Sequence, residues 1–359
     1  MSTTNSQTEE SVFSQENGRV VSSVGNNTAV GKSQPKVRHL SLTNGSGLHR
    51  VAESLAKAET AMGLDSTLVD TGLPFPAEDA DTADVFVIHS HFPPIEMAKR
   101  KKGSRIVWIG HGTPDHTYQS SVEAAEHGTY GHGDPLMLMQ HWLKTADARI
   151  TFWDRHKWFY DQMLTTGARP TDCIPMGVDT AFWRKGETRG KFSGEPSLFY
   201  AENPHYIKWV YDLMVALPTI AKAHAGLMLH AIYQVKDHHR ALFPLANAMG
   251  AAFQSHIFPG TFDQEGLRNA FLSTDYAVGL VRYGDLNHLS LQANAVGAKT
   301  ISYAGNPHAM YWITEGDQRE IARQMIAILA GEVEPRVQTP VPDVSEMATA
   351  MVNVYTGIL

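Results

Sequence analysis

One cysteine, Cys173, in 359 residues excludes an intramolecular disulfide and a multi-thiolate zinc site, and fits a reducing compartment. Long apolar runs are also missing. The longest stretches, such as 322–330, carry polar side chains and fall far short of the roughly 20 residues that span a bilayer. The first ten residues lack the basic start and apolar centre of a secretory signal, so the expectation is a cytoplasmic protein. Nor is there a surplus of positive charge. Thirty Lys and Arg against 37 Asp and Glu leave a formal charge of −7, which gives no global attraction to nucleic acid, although a local basic stripe stays open.

What is present is a globular balance, 43% hydrophobic and 19% charged, on a chain long enough for about two domains of roughly 150 residues. Residues 1–35 are rich in Ser, Thr, Asn, Gln and Gly, and read as a disordered N-terminal tail. From Lys36 onward, short apolar strands alternate with helical patterns: strands at 37–42, 67–69, 84–88, 105–109 and 148–152, helices at 48–62, 136–145 and 155–165. Strands separated by helices imply parallel βαβ units. A Gly-, Lys- and Glu-rich stretch at 184–196 has linker composition. The same grammar then resumes, with strands at 197–200, 227–232, 255–258, 276–280 and 300–303 and helices at 208–224, 239–249, 263–273, 289–296 and 318–330.

The expected fold class is therefore α/β, two tandem Rossmann-like domains at 36–183 and 197–334 facing an interdomain cleft. A helix in the C-terminal segment 343–359 is expected to pack back on the first domain. Doubly wound sheets bind ligands at the carboxyl ends of their strands, which places the site in that cleft.

Within this frame, Asn44-Gly-Ser-Gly47 sits between a first strand and a first helix, where small residues let a phosphate or sugar approach backbone N–H groups. The dinucleotide fingerprint G-x-G-x-x-G is incomplete, because Arg50 holds its third glycine position. Eighteen histidines invite a metal reading, but His89-Ser-His91 spacing merely puts two rings on one strand face, and loop histidines bonding a substrate are preferred. No metal site is expected. His111, in Ile109-Gly-His-Gly-Thr-Pro114 directly after a strand, is the best histidine for a substrate contact. The rings and cations of 153–160 are the nearest approach to a nucleic-acid surface, and their helical spacing favours a structural role.

A resemblance emerges further along. Asp172-Cys-Ile-Pro-Met-Gly-Val-Asp179 with Phe182 resembles the "IPNGVD…F" segment that ends the first domain of family 4-type glycosyltransferases of the two-Rossmann (GT-B) fold. In matching order, Gly45-Ser-Gly47 with Arg50 resembles "GGxxR", Asp84-Val-Phe-Val-Ile-His-Ser-His91 "DVVHAH", and Ala146-Asp-Ala-Arg-Ile-Thr-Phe152 "ADAVIAVS". Later, Ile257-Phe-Pro-Gly-Thr-Phe-Asp-Gln-Glu265 resembles "FLGxVxxEE", Thr274-Asp-Tyr-Ala-Val278 "ADVFV", and residues 282–300 "SxxEGFGLxxLEAMAxGxPV".

The departures are specific. Where the family has two Glu seven residues apart, this chain has Gly284, or Asp285 with a one-residue shift, and Gln292. Ala201-Glu202 replaces the family's "GR", while Lys208 stands where its Lys should. The resemblance implies a retaining hexosyltransferase with a nucleotide-sugar co-substrate, a UDP-sugar first, and no required cofactor. It implies donor contacts from Gly45, Ser46, Gly47, Glu202, Lys208, Gly260, Phe262, Tyr283, Gly284, Asn287, His288, Leu289 and Gln292, with His111 and Asp285 nearest the chemistry. Acceptor contacts are expected from His91, Asp115, Tyr118 and His127. The acceptor hydroxyl belongs to a glycan or lipid precursor or to a hydroxymethylated base in phage-type DNA. The alternatives are a non-catalytic sugar-nucleotide-binding homologue and a nucleotide-sugar epimerase. Oligomeric state is not legible.

Overall fold

Strands buried on both faces build the first sheet. Strand β1 (Lys36–Ser41) points Val37, His39 and Ser41 to one face and Arg38 and Leu40 to the other. Helix α1 (Gly47–Ala61) then crosses to β2 (Asp65–Asp70), and the chain continues through β3 (Val85–His89), β4 (Arg105–Gly110), α2 (Pro135–Thr145), β5 (Ala148–Thr151), α3 (Asp154–Gln162) and the two-residue β6 (Asp172–Cys173). All pairings are parallel, and the order is β2-β1-β3-β4-β5-β6. The computed structural model describes residues 34–41, 47–70, 82–89, 100–112, 117, 121–122, 134–164, 168–187, 190–201, 210–233, 254–259, 262–281 and 288–359.

The second series comprises β7 (Ser197–Tyr200), α4 (Val210–Ala223), β8 (Met228–Tyr233), β9 (Gln254–Pro259), α5 (Gln264–Ser273), β10 (Tyr276–Gly279), α6 (His288–Ala295), β11 (Lys299–Tyr303), β12 (Tyr311–Ile313) and α7 (Gln318–Leu329). Its sheet is also parallel, in the order β12-β11-β10-β7-β8-β9. Read from β9, that is the doubly wound 3-2-1-4-5-6 arrangement. Two Rossmann-like sheets are thus present, as the alternation of strand and helix implied. Strands β6 and β12 were not anticipated; each is too short to register as a periodic run. The helix expected at 239–249 lies outside the described residues.

Helix starts follow capping chemistry. Asp134 accepts from the Met137 backbone N–H at 3.0 Å, with Pro135 in the first turn of α2, where its missing N–H costs nothing. Asp263 and Asp317 cap α5 and α7 in the same way.

The sheet faces carry two different cores. On one face of the first sheet Leu40, Phe86, Ile88 and Trp108 meet Trp142 of α2 and Tyr160 of α3. The group 153–160 is split accordingly: His156 and Tyr160 are buried, while Trp158 is 59% exposed. On the other face Val37, Val85, Val87, Val107 and Ile109 meet Val51 and Leu55 of α1. That second cluster runs on through Met176, Val178 and Trp183 to Phe199, Phe271 and Leu291 beside the second sheet, so Pro35–Leu359 forms one compact unit.

The last helix, α8 (Val344–Ile358), packs Met347, Met351 and Tyr355 into the α1-side core. Each large side chain buried there contributes about 1.5–3 kcal/mol. The segment resembling "IPNGVD" docks this helix. The Val178 N–H donates to the Pro342 carbonyl at 3.1 Å, and the Val344 N–H donates to the Val178 carbonyl at 2.9 Å. Gly177 is needed because a Cβ there would sit 2.5 Å from the Asp343 carbonyl oxygen. Asp343 caps α8 and also accepts from the Thr180 backbone N–H and hydroxyl. Burial pushes its carboxyl up, but these hydrogen bonds win and hold it down at about 2.

Candidate functional site

Strand order locates the site before any side chain is considered. In the first sheet the chain winds outward from β1 to β2 and then resumes on the far side of β1 with β3; in the second, β7 and β10 flank the same kind of reversal. Ligands of doubly wound sheets bind beyond the carboxyl ends at these switch points.

A series of histidines climbs to the first switch point. Parallel register pairs His39 of β1 with Val87 of β3, so His89, on the same face, stands two residues nearer the carboxyl edge. His89 in turn pairs with Ile109 of β4, and His111 stands two residues beyond that. The rings meet along this stair: His39 Nδ1 lies 3.1 Å from His89 Nε2, and His89 Nδ1 lies 2.9 Å from His111 Nε2. His39 and His89 are buried, while His111 is partly exposed after the strand end. His111 also stands edge-on to Phe152, with ring centroids 5.1 Å apart.

The inner end of the series is anchored by a carboxylate. His39 Nε2 lies 2.8 Å from Glu59 Oε2 on α1. Ser66 of β2 donates to the same oxygen at 2.6 Å, and the Tyr355 hydroxyl of α8 donates to Oε1 at 2.7 Å. Burial pushes the Glu59 carboxyl up, but the charge and hydrogen bond of His39, with those of Ser66 and Tyr355, bring it below the ordinary carboxylate range. Burial, with Glu59 beside it, holds the Tyr355 hydroxyl well above its usual value, so it stays a donor. Burial and then the neighbouring His111, His39 and His49 hold His89 well below the usual histidine value, so it is neutral.

From α1, the helix that carries Glu59, Arg50 reaches the backbone carbonyl of Phe262, just ahead of α5, at 3.4 Å. Its charge also acts on His288, the first residue of α6; burial and Arg50 together push that imidazole down to about 4. The Gln292 amide Nε2 stands 3.3 Å from His288 Nδ1. An amide nitrogen only donates, so Nδ1 accepts and the His288 ring carries its hydrogen on Nε2. Gln292 is 1% exposed, and its Oε1 is buried without a hydrogen-bond partner among the described residues, a state that costs about 1–3 kcal/mol until something satisfies it.

Of the expected site residues, His111, Phe262, His288 and Leu289 fall at strand-end or helix-start positions, Gln292 stands one turn into α6, and Gly47 opens α1. Gly45, Ser46, Glu202, Lys208, Gly260, Tyr283, Gly284, Asp285, Asn287, His91, Asp115, Tyr118 and His127 lie outside the described residues. Sequence reasoning did not assign Glu59, His39, His89 or Arg50 to the site. The histidines had a readable signal, since all three share strand-face parity, but Glu59 joins them only through the packing of α1 on the sheet. Among the described residues no group of three His, Cys, Asp or Glu is placed to hold a metal ion. The three imidazoles bond to one another in series rather than converging on a point. Cys173 is no nucleophile: burial and the neighbouring Asp154 push its thiol up to about 12. Among the described residues no helix is long and apolar enough to cross a membrane.

No protein-family model matches the sequence, and no curated protein does. Solved structures do. A sucrose-phosphate synthase from Thermosynechococcus elongatus superposes with a TM-score of 0.64 at 13% identity, covering 90% of this chain and 96% of its own. WaaG, a glycosyltransferase involved in lipopolysaccharide biosynthesis, gives 0.64 at 12% identity, covering 89% and 100%. HepE from Anabaena, in complex with UDP and glucose, gives 0.60 at 13% identity, covering 90% and 97%. With both sheets matched over nearly their full length, the chain has the GT-B fold.

Proposed function

We propose that the protein is a glycosyltransferase that moves a sugar from a nucleotide donor, a UDP-sugar, to a hydroxyl acceptor. The observation that carries this reading is the GT-B pair of sheets with polar groups from beside both, His111 and Arg50 beside the first and His288 and Gln292 beside the second. The likeness to a protein holding UDP and glucose supports the donor class.

In this reading Arg50 supplies the permanent charge opposite a leaving diphosphate. Neutral His288 donates from Nε2 without adding a proton to the site, and the unmet Gln292 oxygen accepts from a donor hydroxyl. His111 orients the acceptor hydroxyl and takes its proton. No metal enters the scheme, so chelation by EDTA should leave turnover intact.

The test is release of nucleoside diphosphate from UDP-, GDP-, ADP- and TDP-sugars, with and without candidate acceptors that include DNA bearing hydroxymethylated bases. Release from one donor together with a new glycosidic product establishes transfer and names its acceptor. Tight binding of a nucleotide with no product from any acceptor would replace transfer with a non-catalytic binder or an epimerase.

A further inference from the structure

We propose that Glu59, His39 and His89 form a proton relay that draws the proton taken up by His111 into the protein and stores it on His39, two side chains away, in a buried ion pair with Glu59. The argument is the direction of the hydrogen bonds. An ionised Glu59 accepts from Ser66 and Tyr355, whose hydroxyls have nothing else to give it but a donated hydrogen, and from His39 Nε2. Before proton uptake His39 is neutral, the imidazolium whose charge lowers Glu59 being the state after uptake, and its Nδ1 is then an acceptor that takes the Nε2 hydrogen of His89 at 3.1 Å. The Nδ1 of His89 is likewise an acceptor and takes the Nε2 hydrogen of His111 at 2.9 Å. A single buried carboxylate thus fixes the tautomer of three rings and makes Nδ1 the basic nitrogen of His111.

The transfer balances. The O–H bond of an incoming hydroxyl breaks, its oxygen keeps the electron pair, and the proton bonds to His111 Nδ1. As the His111 Nε2–H bond breaks, a His89 Nδ1–H bond forms; as the His89 Nε2–H bond breaks, a His39 Nδ1–H bond forms. His111 and His89 end neutral with their hydrogens on Nδ1, and His39 ends as an imidazolium beside the Glu59 carboxylate. The surroundings suit this division. His89 is flanked by His39, His111 and His49, which oppose a charge on it, whereas His39 alone touches the anion. Among the described residues, the titratable or hydroxyl groups that meet the series from the elements packed around it include Glu59 and His49 of α1, Ser66 of β2 and Tyr355 of α8. Glu59 and His39 are both fully buried, so their attraction is little screened by solvent. Two further histidines connect the buried imidazole–carboxylate pair to the partly exposed end of the series beyond β4.

Glu59, His39 and His89 are positioning residues in this scheme, and the use of the relay in catalysis rests on the transferase reading, whereas the relay itself does not. The experiment is a pH titration of the full chain followed by imidazole nitrogen NMR, which distinguishes the two tautomers from the doubly protonated ring. As pH falls, the wild-type protein should show His39 becoming doubly protonated while His111 and His89 switch from Nε2–H to Nδ1–H and stay neutral. In Glu59→Gln, which retains one acceptor oxygen but no charge, the midpoint should fall by about 1–3 pH units. In His89→Phe, which cuts the series, His111 should take the charge itself, and this variant decides the matter if Glu59→Gln does not fold. A wild-type His111 that becomes doubly protonated, an unmoved midpoint in folded Glu59→Gln, or a neutral His111 in His89→Phe would each overturn the relay. Where transfer is measurable, the acidic limb of kcat/KM should follow the same shift with UDP affinity unchanged. The expected NMR behaviour in a protein that transfers no sugar would leave the relay standing and remove the transferase.

Discussion

Gly177→Ala and Gly357→Ala make the same chemical change at the two ends of one structural device, with opposite expected signs. At Gly177 the added Cβ would meet the Asp343 carbonyl oxygen at 2.5 Å, its carbon at 2.7 Å and Val344 Cα at 2.8 Å. Carbon contacts settle at about 3.5–4.0 Å, and all three obstacles are backbone, so the whole 343–344 segment has to retreat by on the order of 1 Å. The two hydrogen bonds that fasten α8, at 3.1 and 2.9 Å, run through that segment and would stretch beyond useful length. Overpacking costs about 1–3 kcal/mol and each lost hydrogen bond about 1, so partial relaxation leaves an expected loss of about 2–4 kcal/mol. At Gly357, inside α8, a Cβ meets nothing within 4 Å, and alanine there should stabilise by about 0.4–1 kcal/mol through the unfolded chain. Urea unfolding with an unchanged m-value reads both. A Gly177→Ala protein within about 0.5 kcal/mol of wild type would refute the claim that this segment clamps the helix.

Four further outcomes are expected. Gln292→Leu removes an orphaned buried acceptor, so its melting temperature should equal or exceed that of wild type while UDP affinity, by calorimetry, falls about tenfold or more. Arg50→Gln should weaken UDP binding about 10- to 100-fold and leave the far-UV spectrum unchanged, since the loss is of one charged partner. Asp343 titrates lower folded, at about 2, than its ordinary 3.8, so its stabilisation is complete above the ordinary value and disappears as pH falls through about 2; acid unfolding of Asp343→Ala should show a shallower dependence there, on a neutral-pH stability lower by about 0.5–2 kcal/mol. The Cys173 thiol, at about 12, should react with a disulfide reagent at pH 8 only as the protein unfolds.

The parts of this molecule that were readable in its sequence are those governed by local periodicity. Apolar runs such as 85–88 and 106–109, each followed by His or Gly, announce parallel strands, because a buried parallel strand has no polar face to interrupt it. Pairing was not local, and so β6, two residues long, carried no signal at all; it exists because β5 offers an open edge at Ile150 and Thr151. The "IPMGVD" segment was legible as a family-like pattern, but its physical work was not. Gly177 is required by the carbonyl of Asp343, a residue more than 160 positions away, which no spacing rule reaches.

The same division runs through the site. His111 stood out because it follows a strand end, where loops carry chemistry, and Gln292 stood out because it replaces an acid in a family-like segment. Glu59 did neither. On the sequence it is one acidic residue of a helix that also carries Glu53 and Lys57, and those two form an ordinary exposed i, i+4 pair with each other. Only the sheet register, which raises each successive histidine by two residues, and the placement of α1 over β1 turn Glu59 inward to the one point where the series of rings begins. A carboxylate fully buried on a helix otherwise facing Val51 and Leu55 is costly unless it is paired, and the pairing here uses every oxygen it has. That expense is met by donors from three separate elements, β1, β2 and α8, which Glu59 ties together at the inner end of the histidine series.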